Sequence, residues 1–258
     1  MVTRRLRKIF KDDGMAFVVA CDHGMINGPM RGIGNLEETL SAVIAAEVDG
    51  VMATYGTVRQ FPELFAKTNW VCRLDGAASF LSPVSAVGSQ FFNIEQALIL
   101  GAEALCVTAF PGTKDEEHGW DTMAKAIYQG HKWGIPMMAE VMPGGFTAGP
   151  DFRNVGVTKT AARIAAELGA DWVKIPYVEG YEEVIATCPV PVVVLGGPGN
   201  ADPAVTLQMV DKGLKAGCKG ATIGRNIWQA KDTYLMAKAV NDLIHGRLTL
   251  EEAIELVK

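Results

Sequence analysis

The stretch TKTAARIAAELGADWVKIP, Thr158–Pro176, carries the reading that decides the fold. Its first part repeats apolar residues at helical spacing. Gly169 then suits a left-handed helix C-cap, and DWVKIP (Asp171–Pro176) is a short apolar run of strand character. The same junction recurs as ILGAEALCVT (Ile99–Thr108) and KAGCKGATIG (Lys215–Gly224). Working outward, seven more runs match DWVKIP: AFVVAC (Ala16–Cys21), GVMAT (Gly50–Thr54), WVCRLD (Trp70–Asp75), EALCVTA (Glu103–Ala109), PMMAEVM (Pro136–Met142), VPVVVLG (Val190–Gly196) and GATIG (Gly220–Gly224). Amphipathic segments such as LEETLSAVIAAE and TMAKAIYQGHKWG lie between them. Strands apolar throughout, rather than alternating, indicate a parallel sheet buried on both faces. A strand–helix unit repeated eight times closes into an α/β barrel, whereas a doubly wound sheet more often has five or six strands.

The expected architecture is therefore a single (β/α)8 TIM-barrel domain over residues 1–258. RRLRKIFKDDG reads as a short helix capping the bottom. TLEEAIELVK reads as an extra final helix, with Thr249 as N-cap and Glu252 completing a capping box. With 258 residues, 49% hydrophobic and 21% charged, the chain suits one large unit, and a net charge of -5 gives no reason to expect nucleic acid or an anionic membrane as partner. The basic start MVTRRLRKIF lacks a signal-peptide core, and no apolar run approaches the roughly 20 residues of a membrane-spanning helix. Five scattered cysteines without a C-x-x-C read as reduced core thiols of a cytoplasmic protein.

Barrel enzymes build their sites at the carboxyl ends of the strands. Lys174 lies inside the sixth run; with Val173 and Ile175 facing the helices, it points into the barrel. Burial disfavours the ammonium form and makes a neutral, nucleophilic amine accessible, which attacks a ketone or aldehyde to give an iminium. The alternative is a structural lysine paired with a carboxylate such as Asp22 or Glu140. Asp22 and His23 end the first run, where a carboxylate could orient substrate hydroxyls and shuttle protons, or the pair could simply make a turn. Gly196 and Gly197 after the seventh strand, with Gly224 and Arg225 after the eighth, occupy the usual phosphate-binding place of such barrels. Pro198, lacking an N–H, reduces the donors there. Arg73, Asp75, Thr108, Glu140, Met142 and Tyr177 are further candidates to line the cavity; Arg73 and Asp75 share a face and can form an internal ion pair. The histidines His23, His118, His131 and His245 match no metal-ligand spacing, so no metal is expected; no other cofactor is expected either, the alternative being a flavin-dependent isomerase whose flavin phosphate the paired glycines would hold.

Taken together, CDHG (Cys21–Gly24), FPG (Phe110–Gly112), DWVKIPYVE (Asp171–Glu179), CPVPVVVLGG (Cys188–Gly197) and IGRNIWQ (Ile223–Gln229) resemble the class I, Schiff-base aldolase family. That family includes archaeal-type fructose-bisphosphate aldolase, deoxyribose-phosphate-type aldolases and a thiolase branch acting on phosphorylated autoinducer-2. The resemblance implies Lys174 as Schiff-base residue and Asp22 as a polar partner in the pocket. It also implies a phosphorylated carbonyl substrate held at Gly196, Gly197, Gly224 and Arg225, and a homo-oligomer of rings or stacked rings. One departure stands out. Where the fructose-bisphosphate branch has Y-P-R-G, this chain has Met142–Pro143–Gly144–Gly145. A thioether exchanges no protons and a glycine clamps no distal phosphate, so Glu140 becomes the candidate acid/base. The expected function is an aldolase-type lyase or transferase. Thiolase- or transaldolase-type transfer, or a non-catalytic phosphometabolite-binding barrel, are the alternatives.

Overall fold

In the computed structural model, which describes residues 4–82, 89–146, 148–197, 199 and 202–258, each of the eight apolar runs forms a strand of one closed barrel. The strands are β1 (Ala16–Ala20), β2 (Gly50–Ala53), β3 (Trp70–Arg73), β4 (Ala104–Ala109), β5 (Met137–Val141), β6 (Trp172–Pro176), β7 (Val192–Leu195) and β8 (Gly220–Ile223). Every strand pairs in parallel with its sequence neighbours, and β8 returns to β1. All their residues are buried, as a sheet covered on both faces requires. The glycines of the repeated junctions, Gly101, Gly169 and Gly217, all have positive φ (85°, 100° and 100°), the conformation that ends the preceding helix.

Alternation along the strands divides the core in two. Val173, Ile175, Val192, Val194, Leu105 and Val107 pack outward against the helices. Val18, Met52, Val71, Cys106, Met138 and Trp172 fill the barrel interior. The helix Leu6–Ile9 presses Leu6 and Ile9 into this inner cluster, and Phe10 meets Trp172 edge-on with ring centroids 5.8 Å apart. The bottom of the barrel is thereby stoppered. At the other end of the chain, Thr249 and Glu252 form the capping box that starts the helix Leu250–Leu256.

The third run departs from the sequence reading. WVCRLD is not one strand: β3 stops at Arg73, and Asp75–Gly76 turns away to pair antiparallel with Ser89–Gln90. The backbone N–H groups of both Phe91 and Phe92, distant in sequence, donate to the carbonyl of Leu74 where the chain leaves the barrel ladder. Pro198, read as a weak point of the seventh loop, lies outside the described residues.

Candidate active site

Parallel register places Thr108 beside Glu140 and Glu140 beside Lys174 on β4, β5 and β6. All three side chains point inward at one level. Lys174 is only 4% exposed, and its Nζ contacts Glu140 Oε1. Arg73 rises from β3 beneath them as the hub of the network. Its Nε donates to Asp22 Oδ2 at 2.7 Å and its Nη1 to Asp75 Oδ1 at 3.1 Å. It also donates to Thr108 Oγ1 and Glu140 Oε2. Asp75 in turn accepts from the Thr108 backbone N–H at 2.8 Å. Burying five ionic groups is tolerable only when each is paired and hydrogen-bonded, and here each is.

The electrostatics separate the three acids. Burial pushes Glu140 up, but Lys174 and Arg73 outweigh it and hold the carboxyl at about 2. Asp22 is also pushed up by burial and held well below the usual carboxylate range, chiefly by Arg73. For Asp75 burial wins and its value rises. Burial likewise drives the Cys106 thiol far above its ordinary range, so the inner cysteine is no nucleophile. The sequence reading rested the reactivity of Lys174 on desolvation alone. The structure brings Nζ against Glu140, one of the two carboxylates that the sequence reading named as partners of a purely structural lysine.

A cavity of ≈ 570 Å³ opens above this floor at the carboxyl ends of the strands. Met142 and Tyr177 line it, as do Asp22, Arg73, Asp75 and Thr108. Met142 is 7% exposed, a thioether wall where a proton-transfer residue was absent in the sequence. Tyr177 is half-buried, its ring tilted 5.2 Å from that of Tyr181, and burial pushes its phenol up. His23 faces the cavity and packs edge-on against Trp228 at 5.3 Å; its Nδ1 lies 3.3 Å from Asp22 Oδ1 without hydrogen-bonding geometry. The other histidines lie elsewhere: His118 is exposed on the helix Glu116–Lys132, His131 pairs with Asp171 and His245 with Asp13 and Asp49. Among the described residues no cluster of His, Cys, Asp or Glu has metal-binding geometry.

The four residues of the expected phosphate site come together at the rim. Arg225 Nη2 donates to the Gly197 carbonyl at 3.2 Å, and Asn226 Nδ2 donates to that of Gly196 at 2.6 Å, tying the β7 loop to the short helix Arg225–Trp228. Trp228 Nε1 anchors that helix to the Ala20 carbonyl at 2.9 Å. Gly224 is required by close approach: a Cβ there would sit 2.7 Å from the Ala20 oxygen and from His23. Arg225 Nε is buried with no hydrogen-bond partner among the described residues. Sequence reasoning missed Arg153, Phe110 and Phe146, which also line the cavity. They lie in loops without periodicity, where no spacing tells which side chains turn inward.

An inward lysine, a carboxylate against it and a rim of glycines with an arginine, all in a (β/α)8 barrel, are the setting of an aldolase-type enzyme. The chain belongs to the DeoC/LacD family of aldolases, whose model matches residues 16–230. It is 32% identical over 247 residues to 2-amino-4,5-dihydroxy-6-oxo-7-(phosphonooxy)heptanoate synthase of Streptomyces griseus, covering 94% of this chain and 89% of that protein. It is also 32% identical over 257 residues to 3-hydroxy-5-phosphonooxypentane-2,4-dione thiolase of Enterobacter sp. (strain 638), covering 97% and 83%. Among solved structures, an archaeal fructose-1,6-bisphosphate aldolase with its catalytic lysine covalently bound to the carbinolamine intermediate superimposes with a TM-score of 0.86. That match has 28% identity and covers 95% of this chain and all of the other.

Proposed function

We propose that the chain is a class I aldolase that carries a phosphorylated ketone on Lys174. Nζ adds to the carbonyl carbon, and the former carbonyl oxygen takes up protons and leaves as water, giving an iminium. Loss of a proton from the adjacent carbon sends its electron pair toward the iminium nitrogen, and the enamine then attacks the carbonyl carbon of an aldehyde. One C–C bond forms, the new alkoxide is protonated, and water returns to the iminium carbon to free Lys174. Glu140, in contact with Nζ, is placed to relay protons for this chemistry once substrate separates it from the Lys174 and Arg73 cations that hold its value low. Asp22, kept ionised by Arg73, orients the substrate hydroxyls, and the phosphate sits against Gly196, Gly197, Gly224 and Arg225.

The observation that carries this reading is the enclosed Lys174–Glu140 pair in a cavity whose rim holds Arg225, a guanidinium with no hydrogen-bond partner for Nε among the described residues. The product named for the Streptomyces relative, a 4,5-dihydroxy-6-oxo chain with a 7-phosphonooxy group, is a β-hydroxy ketone of the kind this chemistry makes. Borohydride added with dihydroxyacetone phosphate should fix one adduct on Lys174, seen by peptide mass mapping, and Lys174→Ala should lose both adduct and turnover. An unmodified Lys174 in protein that is turning over substrate would rule the reading out. Acyl or ketol transfer is a second reading, favoured by the thiolase relative and by the non-ionisable Met142; consumption of an added thiol would identify it. We also infer a cytoplasmic homo-oligomer, a compartment suited to five buried free thiols.

A further inference from the structure

Four cationic side chains line the cavity: Arg73, Arg153, Lys174 and Arg225. Arg73 and Lys174 are neutralised by Asp22, Asp75 and Glu140. Among the described residues, neither Arg153 nor Arg225 has a carboxylate within ion-pairing distance. Both are partly withdrawn from water, and burial lowers both guanidinium values. A desolvated cation without a counter-charge is costly unless a ligand supplies one. Arg225 belongs to the phosphate cradle described above, whereas Arg153 has no assigned partner.

Arg153 is held in place rather than free to wander. Its Nη1 donates to the Pro143 carbonyl at 2.6 Å and more weakly to that of Phe152 at 3.5 Å; its Nη2 donates to the Gly145 carbonyl at 3.2 Å. A guanidinium has five N–H donors, so Nε–H and one Nη2–H have no protein acceptor among the described residues. The preceding turn, Pro150–Phe152, is docked through the Phe152 ring. A Cβ at Gly144 would lie 2.5 Å from that ring and one at Gly112 would lie 2.3 Å from it. Gly144 also has φ 71°, where a side chain is strained. The glycine that stands where an arginine was expected therefore makes room for the ring that delivers Arg153 to the same rim.

Lys174 on β6 lies between the two uncompensated cations, with Arg153 following β5 and Arg225 following β8. We infer that Arg153 forms a second anion subsite, which selects an aldehyde acceptor bearing a carboxylate or phosphate at the end remote from its carbonyl. This rests on the proposed Lys174 chemistry, and the two can fail separately.

The test compares wild type with Arg153→Met and Arg153→Lys, using dihydroxyacetone phosphate as donor and three acceptors: succinic semialdehyde, glyceraldehyde 3-phosphate and butyraldehyde. Arg153→Met should raise KM for an anionic aldehyde about 10- to 100-fold, the range of a charge-assisted hydrogen-bond pair. It should leave butyraldehyde and the borohydride adduct at Lys174 unchanged, and Arg153→Lys should recover part of the loss. A larger effect with succinic semialdehyde identifies a carboxylate acceptor, and a larger effect with glyceraldehyde 3-phosphate a phosphorylated one. Equal effects on charged and neutral aldehydes, or none, overturn the inference. Titration with inorganic phosphate gives a reading independent of turnover. Wild type should take up two ions per chain and Arg153→Met one; equal stoichiometry in both also overturns it. Loss of the Lys174 adduct in wild type would instead count against the aldolase mechanism.

Discussion

At the floor of the cavity Arg73 faces three carboxylates and Lys174 touches one of them, whereas at the rim Arg153 and Arg225 face none among the described residues. The floor side chains come mostly from strands, where register and alternation fix their direction before any substrate arrives. The rim side chains come from loops and a short helix, and their charge is left for a ligand to balance. Reactivity needs groups that already satisfy one another, because a buried ion without a partner destabilises the fold. Recognition needs the opposite, since a cation already neutralised by the chain has little left to offer an anion.

The largest effect is expected from breaking the floor. Arg73→Met leaves Asp22, Asp75 and Glu140 buried with Lys174 as their one remaining cation. Removing one partner of a buried ion network costs about 3–5 kcal/mol. For a chain of this size the melting temperature should drop by roughly 6–20 °C, read by circular dichroism. A variant melting within a degree of wild type would show that the network is not the structural unit described here.

Glu140→Gln is a gentler perturbation, since it keeps the shape and removes the charge. Turnover should fall about 10²- to 10⁴-fold, the usual contribution of a positioned acid/base, while the Lys174 adduct still forms slowly. Full turnover in this variant would remove Glu140 from the proposed chemistry.

The smallest effect comes from a pH series, which sets the floor against the base of the barrel. Glu140 is held low, at about 2, so its stabilisation is complete above roughly pH 4.3 and fades only as pH falls toward 2. His245 shifts the other way. Its Nε2 meets Asp49 Oδ2 at 2.9 Å and its Nδ1 meets Asp13 Oδ2 at 2.6 Å, and the Asp49 contact is the main cause of its raised value. Its contribution is therefore full below about pH 6.5 and is lost as pH rises through the higher folded value. Scanning calorimetry from pH 6 upward should show a modest decline in stability for wild type that His245→Asn lacks. Parallel profiles would contradict it.

The same divide explains what could be read in advance. Asp22, Arg73, Thr108, Glu140 and Lys174 were legible because they lie in or directly after apolar runs, and period-two alternation decides which of their neighbours face the helices. Asp75 was legible as a partner of Arg73 but not as a residue that leaves the barrel ladder, because the pull comes from Phe91 and Phe92, far along the chain. Arg153 was invisible. Its loop has no period, and its direction depends on Phe152 finding space over Gly112 and Gly144, a packing event between two loops. Reading Gly144 as a lost clamp took one position at a time, while the fold brings a guanidinium to the same rim from nine residues downstream.

The hydrophobic stopper formed by Leu6, Ile9, Phe10 and Trp172 has a consequence for traffic. A tube sealed at its base has one doorway, so whatever settles deepest must arrive first and depart last. In the proposed chemistry the molecule joined to Lys174 waits behind the one that meets it, and the queue at that doorway sets the order in which the two reactants come and go.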